Sequence, residues 1–208
     1  MTRGRFITIE GLEGAGKTTC IERLRRLLAE RGQPAVFTRE PGGTSLGESI
    51  RGLLLDHRAQ AMDPQAEALL VFAARAEHLA RVILPALEDG RWVVCDRFTD
   101  ATFAYQGGGR GIPAERIAVL ERWTQGDLRP DRTLFLDVPV DQGLSRAATR
   151  GEPDRFERER AAFFERARTV YLDRCRAEPA RMRRIDASRS AERVGDDVVA
   201  EVEALLGP

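Results

Sequence analysis

Lysine is all but missing from this sequence. Of its 33 lysines and arginines in 208 residues, only Lys17 is a lysine. A guanine-reading NKxD element needs a second lysine, so a GTPase of that kind is excluded. Cysteine is scarce too. Cys20, Cys95 and Cys175 are odd in number and far apart, which excludes a disulfide framework and points to a reduced, cytoplasmic protein. The two histidines, His57 and His78, have no metal-ligand spacing around them and read as structural or surface residues. No apolar run reaches the length of a membrane span. The opening MTRGRFITIE carries only a short apolar run ended by Glu10, unlike a signal peptide. Charge of one sign is not in excess: the formal net charge is +0, so no general attraction to nucleic acid or to a membrane is implied. Internal repeats and low-complexity linkers are lacking, and one domain spanning residues 1–208 is expected. The abundance of Arg, Ala and Gly suggests a compositional bias, so the mere presence of an arginine argues little.

What is present has the balance of a globular chain, 42% hydrophobic and 32% charged. Short apolar runs at Arg5–Ile9, Ala35–Thr38, Trp92–Cys95, Leu134–Val138 and Met182–Ile185 read as strands. Helical spacing covers Thr18–Glu30, Pro113–Thr124, Glu157–Arg176 and Ser190–Leu206. A long helix opens at Asp63 and Pro64 and ends near Leu87, with a disturbance expected at Pro85. Strands alternating with helices predict an α/β fold with a mostly parallel sheet flanked by helices, whose ligands lie beyond the carboxyl ends of the strands.

The stretch GLEGAGKTT contains Gly11, Leu12, Glu13, Gly14, Ala15, Gly16, Lys17 and Thr18, the P-loop pattern GxxxxGK[ST] between a strand and a helix. Its backbone N–H groups and the helix N-terminus suit the phosphates of a nucleoside triphosphate, and the Thr18 hydroxyl suits Mg²⁺. This accounts for the single lysine. A compact ammonium fits inside a loop closed on β- and γ-phosphates where a planar guanidinium does not.

Four further stretches carry candidate chemistry, and each also admits a plain structural reading. In TREPGGTSLG, Arg39 stands at the carboxyl end of a strand; the alternative is a turn with a surface arginine. In LLVFAARAEHL, Phe72 and Arg75 are three apart and share a helix face, an aromatic plane beside a bidentate donor that suits a nucleobase; the alternative is a core phenylalanine with a solvated arginine. In WVVCDRFTDATFAYQGGGRG, Asp96 is placed to organise Mg²⁺ or its waters and Arg97 to hold phosphate, unless the two merely form an ion pair. The Gln106 amide can both donate and accept, as an imide edge requires. The stretch 141–157 and the residues just after it bear Arg146, Arg150, Arg155, Arg158 and Arg160: a mobile lid over the transferring group, or a solvated helix face.

The order and identity of IEGLEGAGKTT, TREPGGT, LLVFAARAEH, DRFTDATFAYQGGGRG and RGEPDRFE resemble the bacterial thymidylate kinases over nearly the whole chain. The resemblance implies a three-layer P-loop NTPase fold with a small arginine-bearing lid. It implies a nucleoside monophosphate kinase that moves the γ-phosphoryl group of ATP to dTMP with Mg²⁺, in a homodimer. It also implies roles: Phe72 stacks on thymine, Arg75, Thr102 and Gln106 contact the base, and Arg39 and Arg97 hold the acceptor phosphate. Glu13 lies near the sugar 3′-hydroxyl, Tyr105 excludes a ribose 2′-hydroxyl, and the loop Asp186-Ala187-Ser188 borders adenine. Some relatives carry a P-loop arginine where this chain has Gly14. The missing positive charge is then expected from the lid, with Arg150 first and Arg146 second. The readings set against this one are a deoxynucleoside kinase, which needs no arginines for an acceptor phosphate, and a nucleotide-binding regulatory protein without phosphoryl transfer.

Overall fold

A computed structural model describes residues 3–56, 62–148, 154–157 and 159–206. In chain order the elements are β1 (Phe6–Gly11), α1 (Lys17–Glu30), β2 (Ala35–Arg39), α2 (Ser45–Leu55) and α3 (Pro64–His78). A π-helical turn (Leu79–Ile83) joins α3 to α4 (Leu84–Glu88), and β3 (Trp92–Asp96) and α5 (Thr99–Thr102) follow. A second π-helical stretch (Phe103–Gly109) precedes α6 (Ala114–Gln125), β4 (Arg132–Asp137), α7 (Val140–Ala147), α8 (Ala161–Ala177), β5 (Met182–Asp186) and α9 (Ala191–Leu206).

The five described strands form one sheet in the order β2-β3-β1-β4-β5, and every pairing is parallel. Successive side chains of β1 alternate between two cores. Ile7 and Ile9 pack with Leu24 and Leu28 of α1 and Val198 of α9, whereas Phe6 packs with Ile83, Leu87 and Phe98. Helices thus cover both faces, the three-layer arrangement expected of a buried parallel sheet. The register sets Ile9 beside Asp96, Arg39 beside Asp96 and Gly11 beside Leu136. All the candidate residues at strand ends therefore gather on one edge of the sheet.

Four features depart from the sequence reading. Helix α2 begins inside the stretch read as a loop, with the Thr44 hydroxyl accepting from the Gly47 N–H at 2.9 Å as an N-cap. The disturbance expected at Pro85 falls earlier, in the π turn Leu79–Ile83; a proline ring crowds the carbonyl four residues back, which is Arg81. Residues 99–109 are helical, and their glycines serve packing: a Cβ on Gly109 would lie 2.3 Å from the Phe163 ring of α8. Finally, α8 starts at Ala161 and not at Glu157.

Candidate active site

The P-loop turns between β1 and α1 with Gly16 at φ 92° as the N-cap of α1. Glycine has no side chain to cap the first N–H groups, and the first turn of α1 holds no acid. Thr44 and Asp63, by contrast, cap α2 and α3. The donors at the start of α1 are therefore left for an anion. The Lys17 ammonium rests on the loop itself, donating to the carbonyls of Gly11 and Leu12 at 3.1 Å each. Burial, with Arg97 close by, pushes its pKa down to about 8. Thr18, the next residue, is exposed.

Gly14 shows how tightly the loop is seated. Its φ is 70°, and a Cβ there would lie 2.0 Å from the Gly143 carbonyl oxygen of α7. In return, a Cβ on Gly143 would lie 2.7 Å from the Glu13 carbonyl oxygen. Two glycines let the loop and α7 touch backbone to backbone.

Arg97 follows β3 with φ 67°, the one positive φ outside glycine among the described residues. The strained backbone is fixed by its N–H, which donates to the Ile9 carbonyl at 3.0 Å, and by the Cys95 thiol, which donates to the Arg97 carbonyl at 3.0 Å. The turn sends the guanidinium across to the P-loop. Its Nη2 donates to Glu13 Oε1 and to the Tyr105 hydroxyl at 2.9 Å each, and to the Gly11 carbonyl at 3.2 Å. The Tyr105 hydroxyl donates in turn to Glu13 Oε2 at 2.7 Å. Burial raises the Glu13 carboxyl, but Arg97, Lys17 and Tyr105 outweigh it and hold the pKa below its ordinary value. Arg97 Nε is buried with no partner. Asp96 Oδ1 is likewise buried and unpartnered. That oxygen and the exposed Thr18 hydroxyl are the hard donors Mg²⁺ takes, so the residues present fit that ion.

A cavity opens beside this cluster. Its wall includes Glu13, Arg97 and Tyr105 at one end, Arg51 on the α2 side, and Arg75, Thr102 and Gln106 at the other end. Arg75 is 1% exposed. Its Nε donates to Glu40 Oε2 at 2.8 Å and its Nη2 to the Thr102 hydroxyl at 2.9 Å, while Nη1 is buried without a partner. Glu40 Oε1 lies 3.0 Å from His78 Nδ1, and His78 Nε2 lies 2.7 Å from Thr38 Oγ1. His78 is thus a fully buried structural residue that aligns the carboxylate holding Arg75.

The structure moves two of the expected residues, Phe72 and Arg39, and adds one that the sequence reading missed, Arg51. Phe72 does not line the cavity; it packs with Phe103 and Ile117. Both residues neighbour Arg75 on α3, but Val71, four before it, flanks it on the cavity side and Phe72, three before it, on the other side, toward Phe103 and Ile117. Phe72 instead supports Arg75, whose guanidinium carbon lies 4.8 Å from the ring centroids of both Phe72 and Phe98. Arg39 does not line the cavity either; it is half exposed and donates to Glu48 Oε2 at 2.8 Å. Arg51 reaches the cavity, its Nη1 donating to the Pro41 carbonyl at 3.0 Å. Burial and the charges of Arg39 and Arg97 lower its pKa. Arg146 donates to the carbonyls of Ala187 at 2.9 Å and Ser188 at 3.4 Å. It lines a second pocket with Gly14, Gly16 and Ser190. Arg150, Arg158 and His57 lie outside the described residues. Arg155 is engaged elsewhere, donating to the Leu54 carbonyl at 2.7 Å and pairing with Glu67 at 2.7 Å.

Comparison with known proteins finds one family over nearly the whole chain. The thymidylate kinase family model matches residues 9–198. A thymidylate kinase of Alkalilimnicola ehrlichii is 64% identical over 195 residues, 93% of this chain and 90% of that one. One from Halorhodospira halophila is 59% identical over 206 residues, 98% of this chain and 96% of the relative. The crystal structure of thymidylate kinase from Ehrlichia chaffeensis superposes with a TM-score of 0.75 at 35% identity, covering 98% of this chain and 99% of that chain.

Proposed function

The chain belongs to the thymidylate kinase family, and on that premise we propose which of its side chains carry out transfer of the ATP γ-phosphoryl group to dTMP. The activity is that of an ATP:dTMP phosphotransferase, giving ADP and dTDP and serving dTTP formation. The observation that carries the assignment of residues is the cavity itself. It joins the P-loop at Glu13 and Arg97, holds a second guanidinium in Arg51, and ends on a buried donor, Arg75 Nη1, with no partner.

The N–H groups of Gly14, Gly16 and Lys17 hold the β- and γ-phosphates of ATP, and Lys17 leaves its loop carbonyls to meet them. Arg146 and the loop Asp186-Ala187-Ser188 flank the adenine end. Arg51 and Arg97 hold the dTMP phosphate, so that one of its oxygens attacks the γ-phosphorus in line as the bond to the β-bridging oxygen breaks. Arg51 and Arg97, two guanidiniums besides the base-directed Arg75, suit an acceptor that already carries a phosphate, and they disfavour a bare nucleoside. Asp96 and Thr18 would hold Mg²⁺, which when bound would neutralise charge on the phosphate oxygens. Glu13 meets the sugar 3′-hydroxyl, and Tyr105, fixed between Glu13 and Arg97, stands where a ribose 2′-hydroxyl would be. Arg75 Nη1 donates to a base carbonyl, Gln106 reads the imide edge, Thr102 holds Arg75, and Val71 forms the apolar wall. Arg150 remains the candidate in the lid, residues 141–157, for the charge that develops during transfer. A coupled assay for ADP with dTMP, dUMP and thymidine tests this reading. Turnover should be highest with dTMP and negligible with thymidine; turnover on thymidine alone would make the protein a nucleoside kinase.

We also propose a homodimer within a reduced cytoplasm. Leu46 and Leu53 of α2, Leu69 of α3, and Val119 and Trp123 of α6 are exposed on helices of which α3 packs against both others, and large apolar side chains exposed on neighbouring helices suit a partner surface. All three cysteines are free thiols. Among the described residues no helix is long and apolar enough to cross a membrane.

A further inference from the structure

Glu67 of α3 is fully buried, and no step of the transfer uses it. Its carboxylate is the hub of a cluster behind the base end of the cavity. Oε1 accepts from Gln106 Nε2 at 2.9 Å, and both oxygens accept from Arg110 Nε at 3.2 Å. Arg155 of the lid pairs with Oε2 at 2.7 Å, and Arg110 is bound on its far side by Glu159. Arg110 holds the carboxylate by hydrogen bonds and Arg155 adds its charge beside it, which keeps the group in place.

A carboxylate only accepts, so it dictates which end of a neighbouring amide faces it. Gln106 must turn its NH₂ toward Glu67. The end it can then offer to the cavity it lines is the acceptor, Oε1. Thymine and uracil carry a donor at N3, whereas cytosine carries an acceptor there. We propose that Glu67 is a specificity-determining positioning residue, which locks the Gln106 amide with its oxygen toward the base and so selects an imide base over cytosine. The inference rests on the dTMP-kinase reading of the cavity. It extends that reading from the residues that touch the base to the one that decides their polarity. Without the lock, Gln106 can reverse and present NH₂ to a cytosine N3. A site that hydrogen-bonds a substrate edge discriminates strongly only while its own donors and acceptors cannot exchange.

The test is the ratio of kcat/KM for dTMP to that for dCMP, with ATP saturating, in the wild type, Glu67→Gln and Glu67→Asp. A glutamine at 67 can donate as well as accept, so the ratio should fall at least about tenfold, through a higher KM for dTMP and a gain on dCMP, with the KM for ATP unchanged. Glu67→Asp keeps an acceptor-only group and should stay within a few-fold of the wild-type ratio. If Glu67→Gln does not fold, the charge-compensated pair Glu67→Gln with Arg110→Gln is read in the same way. A ratio unchanged in the folded variant, or equal losses on both acceptors, overturns the inference. Absence of dTMP turnover in the wild type would instead overturn the reading of function on which it rests.

Discussion

Lys17 shows how much a single residue type can announce. Its place was legible because the P-loop is contiguous, and a contiguous pattern needs no knowledge of tertiary packing. The structure adds its condition: the ammonium sits on two carbonyls with its pKa pushed down to about 8. A lowered pKa means the charge is complete below that value and is lost as pH rises through it. A triphosphate favours the charged form, so ATP affinity should fall by up to about tenfold per pH unit above about 8. Calorimetric titration across that range checks this, and a flat profile would contradict it. Lys17→Arg keeps the charge but not the shape, and turnover should drop about a hundredfold or more. Phe72 was legible only in part, and Arg51 was not legible at all. Which side of a helix faces a cavity depends on phase and on the neighbours, and a spacing of three residues does not distinguish the two sides of α3. Phe72→Ala should therefore cost about 3–5 kcal/mol of stability, as a core truncation does, and raise the KM for dTMP by loosening Arg75 while sparing that for ATP. Wild-type thermal stability in that variant would place the ring in the cavity after all. The Arg75–Glu40–His78–Thr38 chain was not legible, because its members come from separate stretches of sequence that only the fold brings together.

At the scale of elements, strands and long periodic helices were readable, and short or irregular ones were not. The five strands fall within two residues of their apolar runs, because a buried parallel strand is a local property. Helix α2 was hidden by its Gly- and Pro-rich prelude, and residues 99–109 by glycines that signal a turn but serve close packing on α8. The contact between Gly14 and Gly143 belongs to this scale. It joins the phosphate loop to α7, the helix that opens the proposed lid, and it also bears on the absent P-loop arginine: no side chain fits at position 14 while α7 lies where it does. Gly143→Ala places a Cβ 2.7 Å from the Glu13 carbonyl oxygen. The resulting overpacking should cost about 1–3 kcal/mol, and ATP turnover should fall while dTMP binding, on the far side of Glu13, changes less. Separate KM values for the two substrates check this; equal losses on both would mean the contact only stabilises the fold.

At the scale of the molecule, the strand order β2-β3-β1-β4-β5 brings the ends of β1 and β3 together, so that residues 11–18 and 96–97 meet although some 80 positions separate them. The homodimer proposal is also a whole-molecule matter. Trp123, 84% exposed, and Leu69 are expected at the contact, and Trp123→Glu combined with Leu69→Arg should give monomers by analytical ultracentrifugation. Dimers that persist would move the interface to another face. The seat of the single lysine has one more consequence. Apart from its α-amino group, the chain offers electrophiles only one primary amine, and that amine lies in the phosphate loop with a proton that leaves near pH 8. An acylating or arylating reagent at mildly alkaline pH should therefore add one side-chain label per chain, visible as one mass increment on the peptide spanning residues 6–23. ATP should block that label, so the reagent reports occupancy of the loop directly, without any assay of turnover.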